Sequence, residues 1–453
     1  MSLFSSATAA ASAAAAFAAV TFIGPEPRRV EAHGQGFEVW LVDQSNSAGK
    51  DHGGAIHIYD GRHLSGRAAS SASPVATIDL GAETATLCMA ETAVNPVRPH
   101  MIFFNAAQTH AVLSFVASGH VVFFDARARA PVACVRTSIG AGGARQAHAA
   151  FPTPDEQFVV VANQNGKLVE RIATDYRHGE FVLEPAATLN LATCVTPNGY
   201  ACQDPALRPD NAPICAFVPS DNRLTFVSLR GGGLFVLDHK ATPMEIVGEY
   251  TTSQIGGNGC GFAEARGWVV FNAGGATASN LDEFAAFRLP MRGYSPLHPP
   301  DTPGRQLLFS DDSAHRDAHG TMATRDERYV WMLDRAANLV EVFHGVTGAR
   351  VTTIDLVSSA SPDPTPDLGA VSPDGSRMFV SLRGPVPLSG DPHASTGTTP
   401  GLGIIQVTAG GRSGFMKTIV RISNVDASGV ERADAHGIAL RRTITPHRHP
   451  GHD

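Results

Sequence analysis

The sequence predicts an all-β fold: a seven-bladed β-propeller with four-stranded blades, closed by N- and C-terminal strands that share one blade. Three observations lead there. Apolar runs of strand length, separated by turn residues, fill the chain from 37 to 441 with almost no helical periodicity. Asp317-Ala318-His319-Gly320 returns near the C-terminus as Asp434-Ala435-His436-Gly437, which marks an internal repeat. The ends of the repeat array also carry complementary defects. Residues 37–43, 54–60 and 74–80 form a unit that lacks a first strand, and 435–441 is a first strand with no unit behind it. Joining the two closes the ring and removes the exposed edges of a linear array.

The blades follow in order. Blade two reads 98–105, 110–118, 120–126 and 131–137, and blade three 146–153, 157–163, 167–174 and 180–191. Blade four is 212–220, 223–229, 233–238 and 244–250; blade five is 257–265, 267–272, 283–289 and 306–310. Blade six takes 317–323, 329–334, 338–344 and 350–356, and blade seven 367–372, 378–382, 403–407 and 415–422. Gly 45 and Pro 30 suit a chain with this many tight turns.

A common frame runs through these units. Seven positions past His319 lies Asp326, in the turn before the strand 329–333. His148 has Pro154-Asp155 at that turn, and Asp367 has Ser372-Pro373-Asp374-Gly375. His100 fits through the strand 111–116 alone, and Cys215 and Cys260 fill the slot in two looser copies. Gly369-Ala370-Val371-Ser372-Pro373-Asp374-Gly375 resembles the end of the YVTN-type propeller repeat, whose units read His-Gly-x-x-x-Ser-Pro-Asp-Gly before a strand. The resemblance covers roughly 37–442; it implies the propeller and no single function.

First strands of propeller blades line the central channel, so the marked residues are expected to ring one mouth. In blade order from one they are His436, His100, His148, Cys215, Cys260, His319 and Asp367. Imidazoles converging on an axis suit copper, iron or zinc. A single such histidine is more often a turn residue bonded to backbone; the argument rests on four copies at one position. His52, beside Asp51 in a blade-one loop expected next to His436, is a sixth candidate ligand. The predicted metal set is therefore His100, His148, His319, His436, Asp367 and His52, with a copper or iron ion as cofactor. His315 and His393 are loop candidates, His393 more simply a solvated side chain, and His33, His57, His110 and His120 read as structural.

The arrangement resembles the copper propellers of nitrous oxide reductase and thiocyanate dehydrogenase, and the four-histidine iron site of carotenoid-cleavage oxygenases. The match is to the arrangement; those families' local motifs are absent. It implies a metal-dependent oxidoreductase acting on a small molecule, with a redox partner. A non-catalytic binding propeller is the alternative. A calcium-centred lactonase needs oxygen ligands, against a ring of histidines. The sequence shows no phosphate-cradling glycine loop, nucleophile elbow or zincin motif.

A net charge of −7 offers no basic footprint, which argues against nucleic acid. Residues 1–30 are expected to be an export signal or a disordered N-terminus, 31–442 the propeller, and 443–453 a disordered histidine-rich tail. The alanine-rich run 8–23 offers Ala-x-Ala cleavage sites, although no Lys or Arg precedes it. It is too short and too weakly apolar to anchor in a membrane, and no other segment could span one. An export signal there would place the protein in the periplasm or outside the cell; otherwise a cytoplasmic location is expected. Cys194 and Cys202, around a Pro-Asn-Gly turn, are expected to form a disulfide. Cys215 and Cys260 are open between core, disulfide and thiolate ligands, and Cys88 and Cys134 carry no readable signal.

Overall fold

A computed structural model describes residues 36–443 except 258, 275–282, 296–301, 314 and 389–395. The expected export segment, His393 and the tail histidines lie outside the described residues. Seven separate antiparallel sheets form the blades, as the repeat requires. Six have four strands; blade three has five, because its expected outer strand 180–191 divides into Glu180–Leu183 and Leu189–Asn190. Pro185 opens a short 3-10 turn between them and has no N–H to give a ladder.

The ring closes in blade one. Its innermost strand is Ala435–Thr443, which pairs antiparallel with Gly36–Asp43 from Gly36 opposite Thr443 to Asp43 opposite Ala435. Trp40, Leu41 and Val42 are fully buried there, so alternation alone does not set the register. Polar pairs pin its end: the Gln44 N–H donates to the Asp434 carbonyl at 3.0 Å, and the Asp434 N–H donates to Asp43 Oδ1 at 2.9 Å. The other innermost strands are Pro99–Phe104, Ala147–Pro152, Pro213–Phe217, Phe262–Ala265, Ala318–Ala323 and Pro366–Val371. Apolar side chains of facing sheets fill the spaces between blades, as with Trp331, Leu333, Met378, Val380 and Ile405 between blades six and seven.

The sequence pattern missed one feature. Residues 80–92, expected to be connection, form two short helices, Leu80–Glu83 and Ala85–Thr92. Asp79 caps the first by accepting from the Gly81 N–H. Only Cys88 of the second is buried, too little to print a helical period, and a Cys88–Cys134 disulfide fastens it to the outer strand of blade two. Cys194–Cys202 is bonded as expected. Cys215–Cys260 is also a disulfide, so all six cysteines are paired.

Candidate metal centre

Six of the seven marked residues sit at or near the start of an innermost strand with a β-bulge beside them; Cys260 precedes its strand, Phe262–Ala265, whose pairing is regular. Pairing breaks between Pro99 and Ile102, Ala147 and Ala149, Pro213 and Ala216, Ala318 and Thr321, and Pro366 and Gly369. A bulge sets two residues against one and re-aims a side chain. His100, His148, His319 and Asp367 are each the second residue of their strand, as is His436 of Ala435–Thr443. A polar residue on the second strand of a blade locks the next blade in place. Ser114 Oγ donates to the His148 carbonyl at 3.0 Å, Ser381 Oγ to the His436 carbonyl at 2.6 Å, and Asn272 Nδ2 to the His319 carbonyl at 2.6 Å. The glycine of the repeated tetrapeptide completes this packing. A Cβ on Gly320 would overlap the Asp367 carbonyl, and one on Gly437 the His100 carbonyl.

The five side chains converge. The rings of His100 and His436 lie 3.7 Å apart between centroids, and those of His319 and His436 5.4 Å apart at right angles. Nε2 of His100 is 3.3 Å from Nε2 of His148. His319 Nδ1 is 2.9 Å from Asp367 Oδ1, and His436 Nε2 is 3.6 Å from Asp367 Oδ2. His148 is half-buried and the other four are buried. His52 is not brought in. It stays in the blade-one loop with Nδ1 2.8 Å from exposed Asp51, outside the ring and ion contacts that join the other five.

A shell of charges that sequence reasoning missed holds these residues. Arg335 forms a fork on Asp317 at 2.8 and 3.0 Å and reaches Asp367 at 3.4 Å. Arg383 bonds Asp367 at 3.0 Å and forks onto Asp434 at 2.6 and 2.9 Å. Asp317 and Asp434 are the aspartates of the two tetrapeptides, and each arginine follows the second strand of its blade. Leu229-Arg230, Asp334-Arg335 and Leu382-Arg383 share that place, a signal that the sequence did contain. The relay continues to His100. Asp434 accepts from Gln44 Nε2 at 2.8 Å, which turns Gln44 Oε1 towards His100 Nδ1 at 3.2 Å. The Nδ1 of His100 must then carry the proton and donate, leaving Nε2 with its lone pair.

Burial holds His100 well below the ordinary histidine pKa, with His436 and His148 adding to the effect. Burial does the same to His436 against the opposing pull of Asp367. Burial opposes ionisation of Asp367, but His436, His319, Arg383 and Arg335 overcome it and keep the carboxyl well below its usual range. Burial thus favours the neutral form of His100 and His436 beside one carboxylate.

These residues fit a cation. Three carboxylates (Asp317, Asp367, Asp434) face two guanidiniums (Arg335, Arg383), which leaves one negative charge in the buried cluster. Arg98 and Asp43 at its edge add one charge of each sign. The buried His436 Nδ1 has no hydrogen-bond partner among the described residues. Two ligand nitrogens about 2.0–2.1 Å from one tetrahedral ion lie roughly 3.3 Å apart, the spacing of His100 and His148 Nε2.

No protein-family model matches the chain, and no curated protein matches it. Solved structures do. A hypothetical selenium-binding protein from Sulfolobus tokodaii aligns with a TM-score of 0.59 at 9% identity, covering 89% of this chain and 93% of that one. A protein from Lactobacillus plantarum aligns at 0.55 and 10% identity, covering 90% and 99%. A functionally unknown protein from Desulfotomaculum acetoxidans aligns at 0.54 and 12% identity, also covering 90% and 99%. At these identities the shared property is the propeller fold.

Proposed function

We propose that this propeller is a metal-dependent oxidoreductase, with a copper or iron ion held by His100, His148, His319 and His436 at one mouth of its channel. Asp367 is the fifth member, as a direct ligand or as the anion that orients His319 and His436. The observation that supports the reading most is the convergence of five metal-capable side chains from consecutive blades, six to three, at one bulged position. A bound copper or iron ion would supply electron transfer and an open position for a small substrate.

The chain's own residues set up that chemistry. Gln44, turned by Asp434, keeps the proton on Nδ1 of His100 and directs Nε2 inward. Arg335 and Arg383 hold Asp367 as a carboxylate, so it does not compete for protons with the rings. The three disulfides favour an oxidising compartment, in line with an exported protein. No helix among the described residues is long and apolar enough to cross a membrane.

Metal analysis of protein prepared without chelators tests the proposal. The expected result is one copper or iron per chain, largely lost in His436→Ala or His100→Ala while circular dichroism still reports folded blades. His52→Ala should lose much less. Native protein without stoichiometric transition metal that also fails to take up added copper or iron would overturn the reading. The protein would then be a binding propeller without this chemistry.

A further inference from the structure

A second cluster adjoins the histidines and shares His148 with them. Cys215 and Cys260, on blades four and five, form a disulfide with Cα atoms 5.3 Å apart. Met101 of blade two reaches them, with Sδ 3.8 Å from Cys215 Sγ and 3.6 Å from Cys260 Sγ. A ring nitrogen of His148 and both cysteine sulfurs lie within 4.8 Å of one another. Three sulfurs and an imidazole thus meet in one place. Below them the innermost strands turn phenylalanines towards one another: Phe103 stacks on Phe151 at 4.2 Å, and Phe217 on Phe262 at 5.5 Å. The cluster is therefore rich in sulfur, with its three sulfur residues buried and two of its donors joined by a covalent bond.

We infer that the Cys215–Cys260 disulfide is the closed form of a soft-metal site, and that reduction opens it to bind Cu(I) through Cys215, Cys260, Met101 and His148. Thiolate and thioether sulfur select Cu(I) over harder divalent ions, whereas the all-nitrogen-and-oxygen centre beside it does not. The chemistry balances with an external reductant of the thiol or phosphine class. A trialkylphosphine and one water supply two electrons and two protons and leave as the phosphine oxide, and the S–S bond becomes two thiols. One Cu(I) then takes the place of the thiol protons, which pass to solvent. Met101 and His148 bind as neutral donors and lose nothing. Reduction thus releases both cysteine sulfurs as ligands at once. The site takes up metal once the disulfide has been reduced.

The inference does not depend on a metal at the histidine centre, and the test separates the two. Protein treated with a water-soluble phosphine is titrated with Cu(I) against a bicinchoninate competitor, beside untreated protein. The reduced form should take up one more Cu(I) per chain, with X-ray absorption showing two or three sulfur neighbours. The increment should vanish in Cys215→Ser and weaken at least tenfold in Met101→Leu, which keeps every disulfide and the packing volume. It should persist in Cys88→Ala/Cys134→Ala and in Cys194→Ser/Cys202→Ser, because those thiols are also freed by the phosphine. His436→Ala empties the histidine centre and should leave the increment in place. No extra Cu(I) in reduced protein that circular dichroism shows to be folded overturns the inference. An increment unchanged in Met101→Leu, or one carrying no sulfur neighbours, does so as well.

Discussion

Two arcs of one ring use the same backbone position in opposite ways. Blades six, seven and one fill it with His319, Asp367 and His436 and brace it with Arg335 and Arg383. Blades four and five fill it with Cys215 and Cys260 and join them covalently. A serine opposite the bulge is common to both: Ser381 reaches the His436 carbonyl, and Ser228 the Gly259 carbonyl. The backbone device is therefore independent of the chemistry it presents. Ionic bracing keeps lone pairs and a carboxylate available to a ligand, whereas the disulfide satisfies its own donors until it is reduced.

The comparison breaks most sharply at Arg383. Arg383→Met leaves Asp367 and Asp434 without their shared cation in a fully buried place. The expected cost is about 3–5 kcal/mol, read as a lower denaturant midpoint, together with reduced metal content. On the sulfur arc, Cys215→Ala/Cys260→Ala opens a cross-link spanning 45 residues, a loss of about 4 kcal/mol by chain entropy. The eight-residue span of Cys194–Cys202 should cost less when removed, about 2.5 kcal/mol. If the two arcs are separately built, the Cys215/Cys260 change leaves metal at the histidine centre intact.

Acid sharpens the comparison from outside both arcs. Burial lowers His120 to about 3 and His239 to about 4, so the folded protein keeps both rings neutral. Their contribution is whole above the unfolded pKa of about 6.5 and is lost as pH falls towards those values. Asp43, pushed up to about 6 by burial, works in the opposite sense. The useful quantity is therefore a difference. His120→Gln should reduce the loss of stability between pH 7 and pH 4 by on the order of 3 kcal/mol, measured by urea denaturation.

The smallest effect tests the shared device. Ser381→Ala and Ser228→Ala should each cost about 1 kcal/mol in the same denaturation experiment. A much larger cost on one arc would show that the serines are not equivalent.

The blades and the five converging residues were legible because a repeat turns equal sequence positions into equal places around an axis. His100, His148, His319, Asp367 and His436 needed no more than that frame. The bracing residues were not legible as a site. Arg335 and Arg383 read as ordinary strand-end cations, and only the ring brings each between the aspartates of adjacent blades. His52 shows the limit from the other side: closeness inferred through a loop places a residue less well than a register does. Cys88 lies outside the repeat, on a helix with no readable period, so its pairing with Cys134 of blade two left no trace in the spacing.

The strand Ala435–Thr443 carries His436 and is the last strand among the described residues, yet it lies innermost in the first blade. During synthesis or passage through a membrane, every earlier blade can emerge while the cluster still lacks His436. Asp434, which orients Gln44 and through it His100, arrives in the same final stretch. A nascent or partly delivered chain therefore cannot gather all five of these side chains. The cluster is completed only once the ring has shut, in whichever compartment that happens.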